Sequence, residues 1–427
     1  MNNYLKWLAC CTLVNCSANA HELYNGENGS LNLNLELTVA PLYSSFDYGA
    51  HTDQNVKWME GYIRGGLSGT TPVLGGTAYA TVSVITSKVF GDGDAAGTSN
   101  GHESNTVTDN AFAGWKNDWL DLSAGRQSYT MGDSFLIAGD RLAYGDKIGG
   151  GMSRGGMYYL AQPTSFSQTA IARVRPDDHV LIEAFHLESN NDGQGAPILN
   201  GVNAEYTVSP GNSVGAAYIK VDNVDLKRAG GFFALRKDLN VYNLRGKTNL
   251  GIEALSVEGG YASEQSNDVD ANAWYFGAGY QWNAVPLTPS VSYRYSRFSG
   301  DDPDSRKSET FDPLFYGPST TDMAWVQGEI AGTFAGPFNS NVRAQRLTGR
   351  VVLSEKVAFS AMAYRFDSER DSEHIADELD LYLQTFPTAN LVVMPVLGFW
   401  KPHQGAEAMY GTDDVQTFAG LITTLTF

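Results

Sequence analysis

Residues 414–427, DVQTFAGLITTLTF, alternate in character almost to the last position. Val415, Ala419, Leu421, Leu425 and Phe427 share one parity with Thr417 and Thr423. Gln416, Gly420, Thr424 and Thr426 share the other, with Phe418 and Ile422 as its exceptions. A period of two is the mark of a strand, because successive side chains point to opposite faces of a sheet. A strand that runs to an aromatic residue at the end of the sequence is unlike a soluble domain, whose termini fray. It fits a closed transmembrane sheet, in which the last strand pairs with the first and leaves no edge.

The opposite end reads as a leader. MNNYLKWLACCTLVNCSANA, residues 1–20, carries Lys6, an apolar run to about Val14, and Ala18 and Ala20 in an A-x-A pattern. Cleavage after Ala20 would make His21 the first mature residue. The apolar run is shorter than the ~20 residues a spanning helix needs. Cys10, Cys11 and Cys16 all lie within the leader, so residues 21–427 hold no disulfide, thiolate metal site or cysteine nucleophile. A lipoprotein box fits poorly, since Asn15 precedes Cys16 and Trp7 stands where a leucine belongs ahead of Cys10.

Composition bounds the class. The chain is 42% hydrophobic, 18% charged and 12% aromatic, with 46 glycines, and no later stretch approaches a helical span. A soluble chain of 427 residues would ordinarily divide into domains. No linker or shift in composition marks a boundary, so residues 21–427 read as one large β-domain. Without Lys6 there are 28 cations against 47 acids, a charge of −19. With no basic stripe to meet phosphates, nucleic acid is excluded as a partner.

Four more segments alternate clearly. In 271–286, ANAWYFGAGYQWNAVP, Trp274, Phe276, Ala278, Tyr280 and Trp282 oppose Tyr275, Gly277, Gly279 and Gln281. Similar alternation runs through 30–41 (SLNLNLELTVAP), 201–208 (GVNAEYTV) and 377–384 (DELDLYLQ). Short connections are expected at 69–72, 117–118, 176–178, 209–212, 247–248, 284–287, 354–356 and 387–389. Longer polar segments fall between them, at 44–54, 88–106, 128–167, 189–197, 223–237, 265–270, 300–340, 368–376 and 401–413. Short turns on one side and long loops on the other are the pattern of an outer-membrane barrel with its long loops outside. Starting near Ser30, the alternation predicts an all-β, antiparallel, up-and-down transmembrane barrel of about eighteen strands.

Two loops exceed what a connection requires, and such loops are usually functional. The first, 128–167, is rich in glycine and carries Arg141 and Arg154 with Asp133, Asp140 and Asp146. The alternative is that its GGMYYLAQ segment is a further strand. The second runs from 300 to 340.

The segments SRFSGDD (296–302), ETFDPLFYG (309–317) and QGEIAG (327–332) resemble the alginate-export family of outer-membrane porins. SAGRQ (123–127), the MGD that follows it, and ELDLYLQTFPTANL (378–391) extend the resemblance over most of the mature chain, with FDPLFYG its most specific piece. The resemblance implies an eighteen-stranded monomeric barrel in the outer membrane of a Gram-negative bacterium. It also implies that loop 128–167 folds inward as a constriction, that loop 300–340 is extracellular, and that Phe427 is the signal read by the barrel assembly machinery. Lipid and lipopolysaccharide would surround it. The family's named member passes a polyanionic polysaccharide through an arginine-lined pore.

Inward parity, set opposite the apolar face, selects Arg64, Arg173, Arg245 and Arg294, and flanking loops add Arg126, Arg141 and Arg154. Guanidinium groups bond carboxylates bidentately and select anions in a narrow pore. The same parity brings in Glu36, Glu60, Asp121, Glu183, Glu205, Glu253, Glu378 and Asp380, a mixed lumen in which arginines pair with facing acids as an alternative. No histidine spacing or nucleophile motif indicates catalysis, and no cofactor is expected. Asp92/Asp94, Asp301/Asp302/Asp304 and Asp413/Asp414 could hold Ca2+, but their spacing matches no calcium loop. The expected function is passive transport of anionic saccharides or other small anionic solutes. The alternatives are a general diffusion porin, an uptake channel for less polar compounds, or a plugged structural or adhesive barrel.

Overall fold

The computed structural model describes residues 20–141, 157, 159–316 and 339–427. The expected leader, save Ala20, lies outside them, as do 317–338 of the second long loop and, in the first, Arg154 and Asp146. Strand β1 (His21–Gly26) precedes β2 (Gly29–Ser44), β3 (Val56–Val73), β4 (Gly76–Gly91), β5 (Ser104–Lys116), β6 (Leu120–Gln127) and β7 (Phe166–Val174). Next come β8 (Val180–Glu188), β9 (Ile198–Ser209), β10 (Asn212–Asn223), β11 (Asn240–Thr248), β12 (Leu255–Gln265) and β13 (Asp270–Gln281). The chain ends with β14 (Ser290–Phe298), β15 (Val342–Ser354), β16 (Val357–Ser368), β17 (His374–Thr388), β18 (Leu391–Pro402) and β19 (Gln416–Thr426). Each strand from β2 to β19 pairs antiparallel with the next, and β19 returns to β2, closing an eighteen-strand barrel.

The barrel closes at a seam between β19 and β2. Thr426 pairs with Glu36, and Phe427 exchanges backbone hydrogen bonds of 2.8 and 2.9 Å with Leu35. β1 then folds back on Gly29–Leu33, covering the stretch of β2 that β19 does not reach. The two together leave little of that edge open, which a strand in or beside lipid requires.

Alternation places the lipid face as the sequence predicts. Trp274, Phe276, Tyr280 and Trp282 are exposed, as are Leu31, Leu35, Leu37, Ile63, Val202, Leu379 and Leu421. Exposed apolar side chains in such number form the apolar belt of a membrane barrel, with rings toward its margins. Among the described residues no helix is long and apolar enough to cross a membrane.

Register departs from the sequence reading in two turns. The β3–β4 hairpin turns at Leu74–Gly75, both at positive φ (53° and 71°), rather than at 69–72. The turn expected at 247–248 occupies 249–254, which moves Glu253 out of the wall and puts Glu258 of β12 in its place. The described part of GGMYYLAQ is not a strand; β7 begins at Phe166.

The extracellular half of the barrel is packed by its own loops. Phe135 lies 5.0 Å from Tyr275, 5.9 Å from Phe298 and 6.4 Å from Phe311, centroid to centroid. Ile137 bridges Phe315 in parallel, so the loop after β6 and the FDPLFY segment after β14 form one unit. Phe418 and Ile422, the two exceptions in the last strand, are buried on its inward face. Phe418 stacks on Tyr159 of the first long loop at 4.9 Å, which accounts for an apolar ring on the lumen side.

Candidate functional site

Four arginines project from strands into the lumen, and each is held by carboxylates. On β3, Arg64 meets Glu36 at 2.7 Å and Asp109 at 2.8 Å. On β7, Arg173 meets Glu183 at 2.8 Å and Asp121 at 3.9 Å. On β11, Arg245 reaches Glu205 at 3.2 Å and donates to Asn203 at 2.8 Å. On β14, Arg294 reaches Glu258 at 3.2 Å and lies over the Tyr275 ring, 3.8 Å from its centroid. The mixed lumen of the sequence reading is thus a set of partly buried ion pairs, whose partners sit on adjacent or next-adjacent strands.

The first long loop docks against three of them directly and reaches Arg294 through Tyr275. Gln162 accepts from Arg64 at 2.7 Å. Arg173 lies 5.9 Å from the centroid of Tyr129. Gly132, at φ +55°, lies so close to Arg245 that a Cβ there would stand 2.3 Å from the guanidinium carbon. Asp133 accepts from the Tyr275 hydroxyl, and Tyr275 in turn underlies Arg294. The loop is tied to β3 by its backbone as well: the N–H groups of Tyr159 and Leu160 donate to Glu60 at 2.9 and 2.8 Å, with Trp58 Nε1 at 3.2 Å. Glu60 is 0% exposed.

The remaining expected residues are placed differently. Arg126 is the penultimate residue of β6, not a loop residue, on the parity of lipid-facing Leu122 and opposite Ala111. Arg141 donates to the Ala138 carbonyl at 2.8 Å, and burial pushes its guanidinium down to about 10, still charged at neutral pH. Asp140 is buried at the base of the loop, its N–H donating to Thr164 at 2.8 Å. Of the acidic clusters, Asp94 is occupied by donors, Thr98 Oγ1 at 2.7 Å and Ser99 Oγ at 2.6 Å, and Asp302 pairs with Arg370 at 2.7 Å.

Two lumen arginines escaped the sequence reading. Arg346 pairs directly with Arg294 across β14 and β15, and Arg350 lies four residues further on the same face of β15. Their signal was present, since exposed Leu347 and Leu353 fix the opposite parity as outward. Register extends the row inside the wall: Glu258, Gly277, Arg294, Arg346, Tyr364, Glu378 and Trp400 are successive cross-strand partners.

A closed eighteen-strand barrel with an apolar outer belt and a charged interior is an outer-membrane porin, an integral channel protein of that membrane. The chain belongs to the alginate export family, whose profile matches residues 166–383. Its fold is similar to OccK5 (OpdH) of Pseudomonas aeruginosa, at 11% identity and a TM-score of 0.59, over 93% of this chain and 98% of that one. OccAB2 of Acinetobacter baumannii is similar at 13% and 0.59, over 93% and 98%. The outer membrane protein opdK of Pseudomonas aeruginosa is similar at 10% and 0.58, over 93% and 99%. No curated protein matches the chain. Family and fold together point to a transport barrel rather than an enzyme.

Proposed function

We propose that the barrel is a passive channel for small anionic solutes, carboxylate-bearing saccharides among them. The observation that carries this reading is the direct pairing of Arg294 with Arg346, with Arg350 on the same face. Like charges opposite one another across a strand pair repel. An anion lying along them relieves that repulsion, and guanidinium forks bond a carboxylate with two parallel hydrogen bonds. The ion pairs of the lumen, Arg294 with Glu258 among them, weigh against a long polyanion, which would meet Glu36, Glu183, Glu205 and Glu258 between the arginines. The loop after β6 sets the bore by its contacts to Glu60, Arg64 and Tyr275. Phe427 would be the assembly signal and the outer belt the surface for lipid and lipopolysaccharide.

The test is single-channel recording in a planar bilayer, with the reversal potential measured under a salt gradient. Open steps with anion preference, shifted toward cations in Arg294→Gln and Arg346→Gln, are the expected outcome. Cation preference in the wild type would overturn the anion reading and leave the porin. Folded barrels that never conduct would favour a lumen closed by the aromatic packing around Phe135.

A further inference from the structure

On the outer rim of the barrel, two imidazoles and a carboxylate converge. His374 opens β17, Asp377 lies three residues along it, and His403 follows the end of β18. His374 Nε2 stands 3.1 Å from Asp377 Oδ1, and His403 Nε2 stands 3.0 Å from Asp377 Oδ2. The two rings lie nearly parallel, 4.0 Å between centroids. The three donor atoms all fall within 4.8 Å of one another, and each side chain is partly open to solvent.

We propose that His374, Asp377 and His403 form a binding site for a divalent transition cation, Zn2+ in the first instance. Zinc binds imidazole nitrogen and carboxylate oxygen at about 2.0–2.2 Å in a tetrahedron, which sets its ligand atoms roughly 3.3 Å apart. The spacings of 3.1 and 3.0 Å run to the two separate oxygens of Asp377, and all three donor atoms lie within 4.8 Å, so side-chain rotations about the carboxylate draw the set in around a cation. Three protein ligands leave a fourth position for water. Two imidazoles favour zinc, copper or nickel over Ca2+ and Mg2+, which take oxygen ligands.

The backbone holds the ligands in place. The N–H of His403 donates to the Ile375 carbonyl at 2.8 Å. Its own carbonyl accepts from Ala406 and Glu407 at 2.8 and 2.9 Å, opening the short helix α1 (Gln404–Tyr410). Arg365 and Lys401 flank Asp377 on the neighbouring strands. The Arg365 charge is met by Asp367 at 3.0 Å, which lowers its opposition to a cation.

Height on the barrel makes the site accessible. Asp377 shares the outward face with Leu379, which is exposed to lipid. The fifteen residues of β17 rise about 38 Å at a tilt near 40°, against an apolar band about 25 Å tall, so its first residues stand clear of hydrocarbon. The site therefore faces water and lipid headgroups beside the barrel, not the lumen.

Zinc titration of the untagged, folded barrel in detergent, followed by calorimetry, tests the proposal with the metal alone as probe. One equivalent should bind in the micromolar range or tighter, uncompeted by millimolar Ca2+ or Mg2+. Zinc should also raise the thermal midpoint of the wild type, and EDTA should return it. His403→Gln and Asp377→Asn should each lower the affinity at least tenfold while heat-modifiable migration shows the barrel folded. Absence of saturable zinc binding to the wild type would overturn the proposal. So would unchanged binding in the folded variants, or displacement by Ca2+.

Discussion

Arg236 and Asp312 form a bidentate pair sealed under the extracellular loops, with Nε to Oδ2 at 2.6 Å and Nη2 to Oδ1 at 2.8 Å. Arg236 is 1% exposed, and its remaining donors go to Gln194 at 2.5 Å and to the Leu314 carbonyl at 2.8 Å. One guanidinium thus ties three loops together, those after β8, β10 and β14. The last of these pairs in turn with the loop after β6 through Ile137 and Phe315. Asp312 and Leu314 belong to FDPLFYG, the most specific family segment, so that segment is a hub of loop packing.

Breaking this pair should loosen the loops while the wall persists. Arg236→Ala or Asp312→Ala leaves the partner's charge buried and uncompensated, a loss of about 3–5 kcal/mol. Limited proteolysis should cut the extracellular loops faster, with the heat-modifiable barrel core retained. The double replacement Arg236→Met, Asp312→Leu should recover much of the protection. Equal resistance in all variants would remove the lock from the account.

Glu60 should control the bore. Its carboxylate receives two loop N–H groups and one indole N–H in a fully buried setting. Glu60→Ala forfeits all three bonds, about 1–3 kcal/mol of loop docking. Single-channel conductance should rise and become noisier, with Glu60→Gln intermediate. Unchanged conductance would place the narrowest point elsewhere.

Anion preference should fade with salt. The Debye length falls from about 10 Å at 0.1 M to about 3 Å at 1 M, so fixed guanidinium charges act over less of the lumen. The reversal potential should indicate clear anion preference at low salt and little at 1 M, with a smaller change in Arg294→Gln. A preference independent of salt would point to steric rather than electrostatic selection.

Asp94 gives the loop after β4 a pH response. Burial holds its carboxyl above the ordinary 3.8, opposed in part by the hydroxyls of Ser99 and Thr98. A raised folded value means that the fold favours the neutral form. The stability it lends is therefore present in acid and lost as pH rises through the folded value. Amide exchange at Gly97 to Ser99, corrected for intrinsic rate, should be better protected at mildly acid than at neutral pH. Asp94→Asn should abolish the difference.

Much of this was legible in the sequence because a membrane barrel is a local code. Each spanning strand must alternate between lipid and lumen, so Trp274, Phe276 and Tyr280 declare their face without knowledge of any partner. Arg64, Arg173, Arg245 and Arg294 followed from the same parity. Arg346 and Arg350 were equally readable and were missed, while Glu253 was admitted in place of Glu258 because a six-residue turn looked like two. Parity cannot name an ion-pair partner, and it could not bring together His374 and His403, which meet through the register that sets Ala376 opposite Pro402.

The sequence by itself determined the eighteen strands of the barrel wall, their lipid-facing side and the closure of the last on the strand that begins near Ser30, but not the added strand β1. It could do so because lipid supplies no hydrogen bonds, and only a closed sheet satisfies every backbone group. The tertiary structure alone decided what fills the lumen. Glu60 meets the N–H of Leu160 across 100 residues of chain, and Arg236 meets Asp312 across 76. Such contacts depend on where loops fold back over the finished barrel, and no local alternation records that.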